Sequence, residues 1–152
     1  MTDPVASPSE RASAPALTGG RRAAFVGYQW LLVVFLVLGV VQVFLAGFGV
    51  FDLKGEELGS AGETALDPHR TMALVLGAVA LLVFILACVA RPGGQAIVLS
   101  LVLFLLTYTV QSILAAAGED TPFFGGLHAL DAFVILGLAG YLRGSAQRRA
   151  AG

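Results

Sequence analysis

The sequence predicts an all-α membrane protein: a four-transmembrane-helix up-down bundle built from two tandem helix hairpins, N-in and C-in. Three observations carry that prediction. The 152 residues are 57% hydrophobic and only 12% charged, about half the charged share of a soluble domain. The apolar residues gather into four runs, each long enough to cross a hydrocarbon core of roughly 30 Å. The basic residues segregate to one side of those runs. A net charge of -1 gives no reason to expect a nucleic-acid partner, and the lipid bilayer is the partner the composition demands. The single Cys88 lies in an apolar run and reads as a small hydrophobe.

Taken in order, residues 1–20 are rich in Pro, Ser, Ala and Thr, and are expected as a disordered cytoplasmic tail. Arg21 and Arg22 precede the first run, Phe25 to Phe51. That run exceeds the roughly 7–15 apolar residues of a cleaved secretory signal, and no Ala-x-Ala site follows it. It is expected to stay as an anchor, and the Arg pair reads as charge flanking a first membrane helix rather than a twin-arginine export signal. Asp52 to Asp67 read as a polar, acidic loop. Pro68 opens the second span, which ends at Ala90 before the turn residues Arg91-Pro92-Gly93-Gly94. In the short acidic turn after the third span, Thr121 suits an N-cap and Pro122 the first helical position. The four-helix domain is thus expected over residues 21–143, with spans at about 25–51, 68–90, 96–117 and 123–142. A basic cytoplasmic tail over 144–152 completes the chain.

Orientation follows from charge. Arg11, Arg21, Arg22, Arg91, Arg143, Arg148 and Arg149 lie on one side, and only Lys54 and Arg70 on the other. The positive-inside rule then puts both termini in the cytoplasm and both acidic loops outside.

The two halves resemble each other. Gln42-Val43-Phe44-Leu45-Ala46-Gly47-Phe48-Gly49 in span one matches Gln111-Ser112-Ile113-Leu114-Ala115-Ala116-Ala117-Gly118 in span three at Gln, Leu, Ala and Gly. Spans two and four each open with a histidine followed four residues later by alanine, His69 with Ala73 and His128 with Ala132, and each continues to a glycine, Gly77 or Gly137. These are the only two histidines. Parallel repeats of this kind relate by a pseudo-twofold axis along the membrane normal. In an up-down bundle, spans two and four can lie on a diagonal, which would carry His69 onto His128.

Two neutral imidazoles facing across an axis suit the two axial positions of one haem iron. Ala73 and Ala132, one turn on, would let a flat macrocycle approach the backbone. Arg70 at the rim could bind a propionate, and Asp131 lies on the face of His128 and could orient its ring. Gln42 and Gln111, polar groups within apolar spans, need interhelical partners or a cofactor edge. A site of His69 and His128 with Asp131 or Asp67 as a third ligand, holding zinc or iron, is the alternative metal reading. One geometric objection stands against the haem. Counted at about 1.5 Å per residue, His69 lies roughly 33 Å from Arg91 but His128 only about 22 Å from Arg143. Equal helix ends would leave the rings about 10 Å apart in depth, unless span four continues helically through Ser145-Ala146-Gln147 or span two tilts.

His69-Arg70 opening span two, Leu127-His128 with Ala132 opening span four, and the Gln-x-x-Leu-Ala segments at Gln42 and Gln111 resemble one four-helix half of haem A synthase. Gln42 to Gly47 is also similar to a segment of a family of small four-span bacterial membrane proteins of uncharacterised role. The first resemblance implies axial roles for His69 and His128 on a b-type haem, and the second a bacterial plasma-membrane location. The chain departs from the synthase pattern in having no second half and in carrying Ala65 where an acidic residue precedes the second-helix histidine. Haem binding is therefore implied, and catalysis on a haem side chain is not.

The resulting expectation is haem b bound near the outer face for electron transfer or haem handling, with quinone or a larger membrane complex as partner. An accessory or scaffold protein without cofactor is the alternative. No catalytic residue is identified; an enzyme of this type would be a membrane oxidoreductase or a haem-modifying enzyme.

Overall fold

The computed structural model describes residues 19–52 and 60–151. The residue 1–18 part of the expected tail, and the segment 53–59 with Lys54, lie outside the described residues, as does Arg11. Four long helices account for nearly all of the rest: α1 (Gly19–Asp52), α2 (Ser60–Ala90), α3 (Gly94–Asp120) and α4 (Pro122–Ala151). All four are long and apolar enough to cross a membrane, and the chain is a multi-pass membrane protein with an all-α bundle fold.

Backbones approach closely only between helices that are neighbours in chain order, and α4 closes back on α1. The ring α1–α2–α3–α4 leaves α2 and α4 on one diagonal, with α1 and α3 on the other. The turn between the hairpins is tight, with Arg91 at φ 51° and Gly93 at φ 126°. Thr121 is extended, and its carbonyl accepts from Phe124 N at 3.0 Å, where α4 begins at Pro122.

The close-packed core lies toward the arginine-rich end. Tyr28, Leu32 and Phe35 of α1 meet Ala80, Val83 and Ala87 of α2, Ser100 and Leu103 of α3, and Ala139 and Leu142 of α4, all of them 0–1% exposed. Small residues dominate α2 and α4 here. Lipid offers no hydrophobic gain for burying larger apolar side chains, so close backbone approach and van der Waals contact do the holding. The Ser100 and Thr107 hydroxyls donate back to Ala96 O and Leu103 O, each at 2.7 Å, and the Tyr28 hydroxyl meets Ser100 Oγ across the bundle at 3.5 Å.

The internal repeat is geometric as well as textual. Buried Leu76, Ala80, Val83 and Ala87 follow His69 at the same spacings by which buried Ile135, Ala139, Leu142 and Ala146 follow His128. On α1 and α3, buried Tyr28, Leu32, Phe35 and Gly39 correspond to buried Ala96, Ser100, Leu103 and Thr107, again with equal spacings. The correspondence then slips by one. Gln42 follows Gly39 by three residues, whereas Gln111 follows Thr107 by four. The slip falls within Leu105–Val110, which is π-helical. A π-bulge absorbs one inserted residue without rotating the helix on either side, so it keeps both the core face and Gln111 in register.

Three expectations change. Pro68 lies inside α2, which starts at Ser60, so it does not open the helix. The stretch after Leu142 is not a tail: α4 runs on to Ala151, and the Arg149 guanidinium packs over Gly93. Arg143 therefore sits within the helix, with its Nη1 buried and without a partner among the described residues. Gly77 and Gly137 are not equivalent. A Cβ at Gly77 would lie 2.9 Å from Tyr108 Cδ2, while one at Gly137 meets nothing within 4 Å. With the histidines aligned, the counterpart of Gly77 is Leu136, which fills the space over Gly39.

Candidate functional site

Above the close-packed core, at the end opposite the arginine-rich one, each hairpin builds the same polar clasp. In the first, Gln42 Nε2 donates to His69 O at 3.1 Å, and His69 Nδ1 donates back to Gln42 O at 3.3 Å. In the second, Gln111 Nε2 donates to His128 O at 3.0 Å, and His128 Nδ1 donates to Gln111 O at 3.2 Å. A glutamine within an apolar span thus finds its partner across its own hairpin, as a buried amide must.

Glycine makes this approach geometrically available. A Cβ on Gly49 would lie 2.7 Å from Ala65 O, and one on Gly118 would lie 3.0 Å from Gly125 Cα. Each glycine stands seven residues after its glutamine, against a backbone three or four residues ahead of its histidine. Gly47, by contrast, meets nothing within 4 Å, so it is not a close-packing glycine.

Because the acceptors of both Nδ1 atoms are carbonyl oxygens, Nδ1 carries the proton in both neutral rings and Nε2 carries the lone pair. The rings meet across the bundle axis. Their centroids are 6.3 Å apart and their planes lie at 64°, although the backbones of the helices bearing them do not approach closely. The expected depth mismatch is absent, since the helical continuation of α4 sets Arg149, and not Arg143, level with the turn after α2.

The halves differ in detail. Gln42 Nε2 also lies 3.3 Å from His69 Nε2, whereas Gln111 makes no such bond to the His128 ring and lies instead beside the Asp131 carboxylate. Asp131 stands three residues after His128; Met72 occupies that place after His69. Gln42 Oε1 and Asp131 Oδ2 are buried and have no hydrogen-bond partner among the described residues. Ala73 and Ala132 are half-buried one turn below the rings. Arg70 is at the rim, 4.0 Å from Asp67 and 3.8 Å from Glu119, with all three side chains at least half exposed.

The structure thus brings together His69, His128, Gln42, Gln111 and Asp131, and leaves Arg70 and Asp67 on the exposed rim. Among the described residues, no group of three or more His, Cys, Asp or Glu side chains is placed to hold a metal ion. The three-ligand zinc or iron reading, with Asp131 or Asp67 as third ligand, therefore has no such grouping behind it among the described residues. Sequence reasoning missed the reciprocal acceptors, Gln42 O and Gln111 O, as well as the roles of Gly49 and Gly118. The repeated Gln-x6-Gly spacing was the signal available for them.

No curated protein and no solved structure matches the chain. A family model does, over residues 42–118, described as a family of unknown function, DUF6220. The match runs from Gln42 to Gly118, covering the first clasp, the π-bulge and Gln111, and stopping short of His128. Spanning just over half of its length, the match shows that the chain belongs to the DUF6220 family.

Proposed function

We propose that the chain lies in a bacterial plasma membrane with both termini and the arginine-rich end in the cytoplasm. In this reading it binds one b-type haem between His69 and His128 near the outer face, for electron transfer or haem handling. The observation that supports it most is the 6.3 Å separation of the ring centroids across the axis. Two coaxial imidazoles on one iron need about 2 Å from metal to nitrogen and about 1 Å more to each ring centre, or roughly 6 Å in all.

The donor set fits the group. Hydrogen bonds from each Nδ1 to a helix carbonyl leave Nε2 as the ligating atom and hold the ring in place, the usual outer-shell arrangement for a metal-bound histidine. Ala73 and Ala132 put no more than a methyl group one turn below the rings, and the exposed Arg70, paired with Asp67 and Glu119 at 3.8–4.0 Å, could exchange its carboxylates for a propionate. Bound haem would supply a one-electron carrier whose potential follows from its axial ligands. Quinone or a larger membrane complex is the proposed partner. A reduced-minus-oxidised spectrum of the purified chain tests this reading: no low-spin α-band, together with no iron by metal analysis, would sink it.

A second reading has one specific observation in its favour. Gln42 already engages both ring nitrogens of His69 within a single hairpin, as a purely structural clasp would. That reading makes the chain an accessory or scaffold protein, and predicts that substituting either histidine changes stability alone.

A further inference from the structure

Resting on the haem reading, we infer that the two histidines are unequal ligands. His128 is the fixed axial ligand and His69 the exchangeable one, so the His69 side of the iron is a binding position for a small neutral diatomic molecule such as carbon monoxide.

Two independent asymmetries carry the inference. The first is competition for a lone pair. With Nδ1 of His69 donating to Gln42 O, the Nε2 lone pair is the only one the ring can offer a metal, and the Gln42 amide lies on it at 3.3 Å. The amide cannot be turned around to remove this contact, because its nitrogen is also needed to donate to His69 O. His69 therefore has a ready resting state off the metal, held at both ring nitrogens by one residue. Nε2 of His128 has no hydrogen-bond partner among the described residues, so ligation there displaces nothing.

The second asymmetry is polarity. Asp131 stands three residues after His128, on the same face of α4, and supplies a polar outer group to that ring. The equivalent place after His69 holds Met72, an apolar side chain. Polar support and freedom from competition favour the same ring.

The test uses the full chain in detergent, loaded with haem b and reduced, with carbon monoxide affinity read from the visible spectrum. The wild type is expected to bind carbon monoxide with loss of its bis-histidine bands. His69→Ala should bind it at least about tenfold more tightly, because the competing ligand is gone. His128→Ala should release most of its haem. Gln42→Leu frees His69 to hold the iron, and should weaken carbon monoxide binding about fivefold, the equivalent of one net hydrogen bond. Gln42→Met, of nearer shape, should do the same if the leucine variant fails to fold. A wild type whose bis-histidine spectrum ignores carbon monoxide overturns the inference and leaves the haem reading standing. So does a reversed order of the two alanine variants. A wild type with no haem band overturns both.

Discussion

Gln42 and His69 grip each other from both directions, amide nitrogen to backbone carbonyl in one sense and ring nitrogen to backbone carbonyl in the other. The same exchange joins Gln111 to His128 in the second hairpin. Each helix hairpin is thereby locked between the apolar core and the close backbone approach at Gly49 or Gly118.

Breaking either lock has a definite cost. Gln42→Ala and Gln111→Ala should each destabilise the fold by about 1–2 kcal/mol, since a histidine carbonyl loses its amide donor in a medium with little water, while the Nδ1 bond to the residue 42 or 111 backbone carbonyl remains. Denaturant-titrated unfolding in mixed micelles measures this. Costs near zero for both variants would mean that the clasps hold nothing.

Close helix approach at Gly49 and Gly118 gives a paired prediction. Gly49→Ala and Gly118→Ala place a Cβ against the opposing backbone at 2.7 and 3.0 Å, and overpacking of this kind costs about 1–3 kcal/mol. Gly47→Ala, made in open space, should be neutral or slightly stabilising because alanine is the better helix former. Thermal melts of the three variants decide it, and a Gly47→Ala as harmful as the others would refute the assignment.

The π-bulge predicts an unusual tolerance. Deleting exposed Thr109 from Leu105–Val110 converts α3 to regular helix with the spacing that α1 already has between Gly39 and Gln42. The shortened chain should therefore fold and keep its second clasp. Deleting exposed Val41, between Gly39 and Gln42, removes a residue from regular helix and should rotate Gln42 away from His69. Expression and melting of the two deletions give the comparison; equal damage would contradict the bulge as an absorbed insertion.

Much of this architecture was legible in the sequence. The four apolar runs, the diagonal of spans two and four, and the pairing of His69 with His128 all follow from hydropathy, charge and repeat spacing. The depth of the histidines was not legible, because Arg143 looked like the end of a span when it lies within α4. A single arginine in a helix marks a membrane boundary only if nothing helical follows it. The one-residue slip between Gly39–Gln42 and Thr107–Gln111 was also hidden, since textual matching at the glutamines does not reveal that the core positions before them match at a different offset. Backbone acceptors, which every residue owns, leave no compositional trace.

Topology has its own check. A fluorescent protein fused after Gly152 should fluoresce, and an alkaline phosphatase fused there should be inactive, if the arginine-rich end faces the cytoplasm. The opposite pair of results would invert the orientation and place the histidines inside.

The central claim is that His69 and His128 share one iron, and the spin state of the bound haem tests it most directly. Electron paramagnetic resonance of the oxidised protein should show a low-spin haem in the wild type. It should show a high-spin signal in His69→Ala, whose remaining ligand is His128, and no bound haem in the double variant. A wild type without haem, or a His69→Ala protein that stays low-spin, would contradict it.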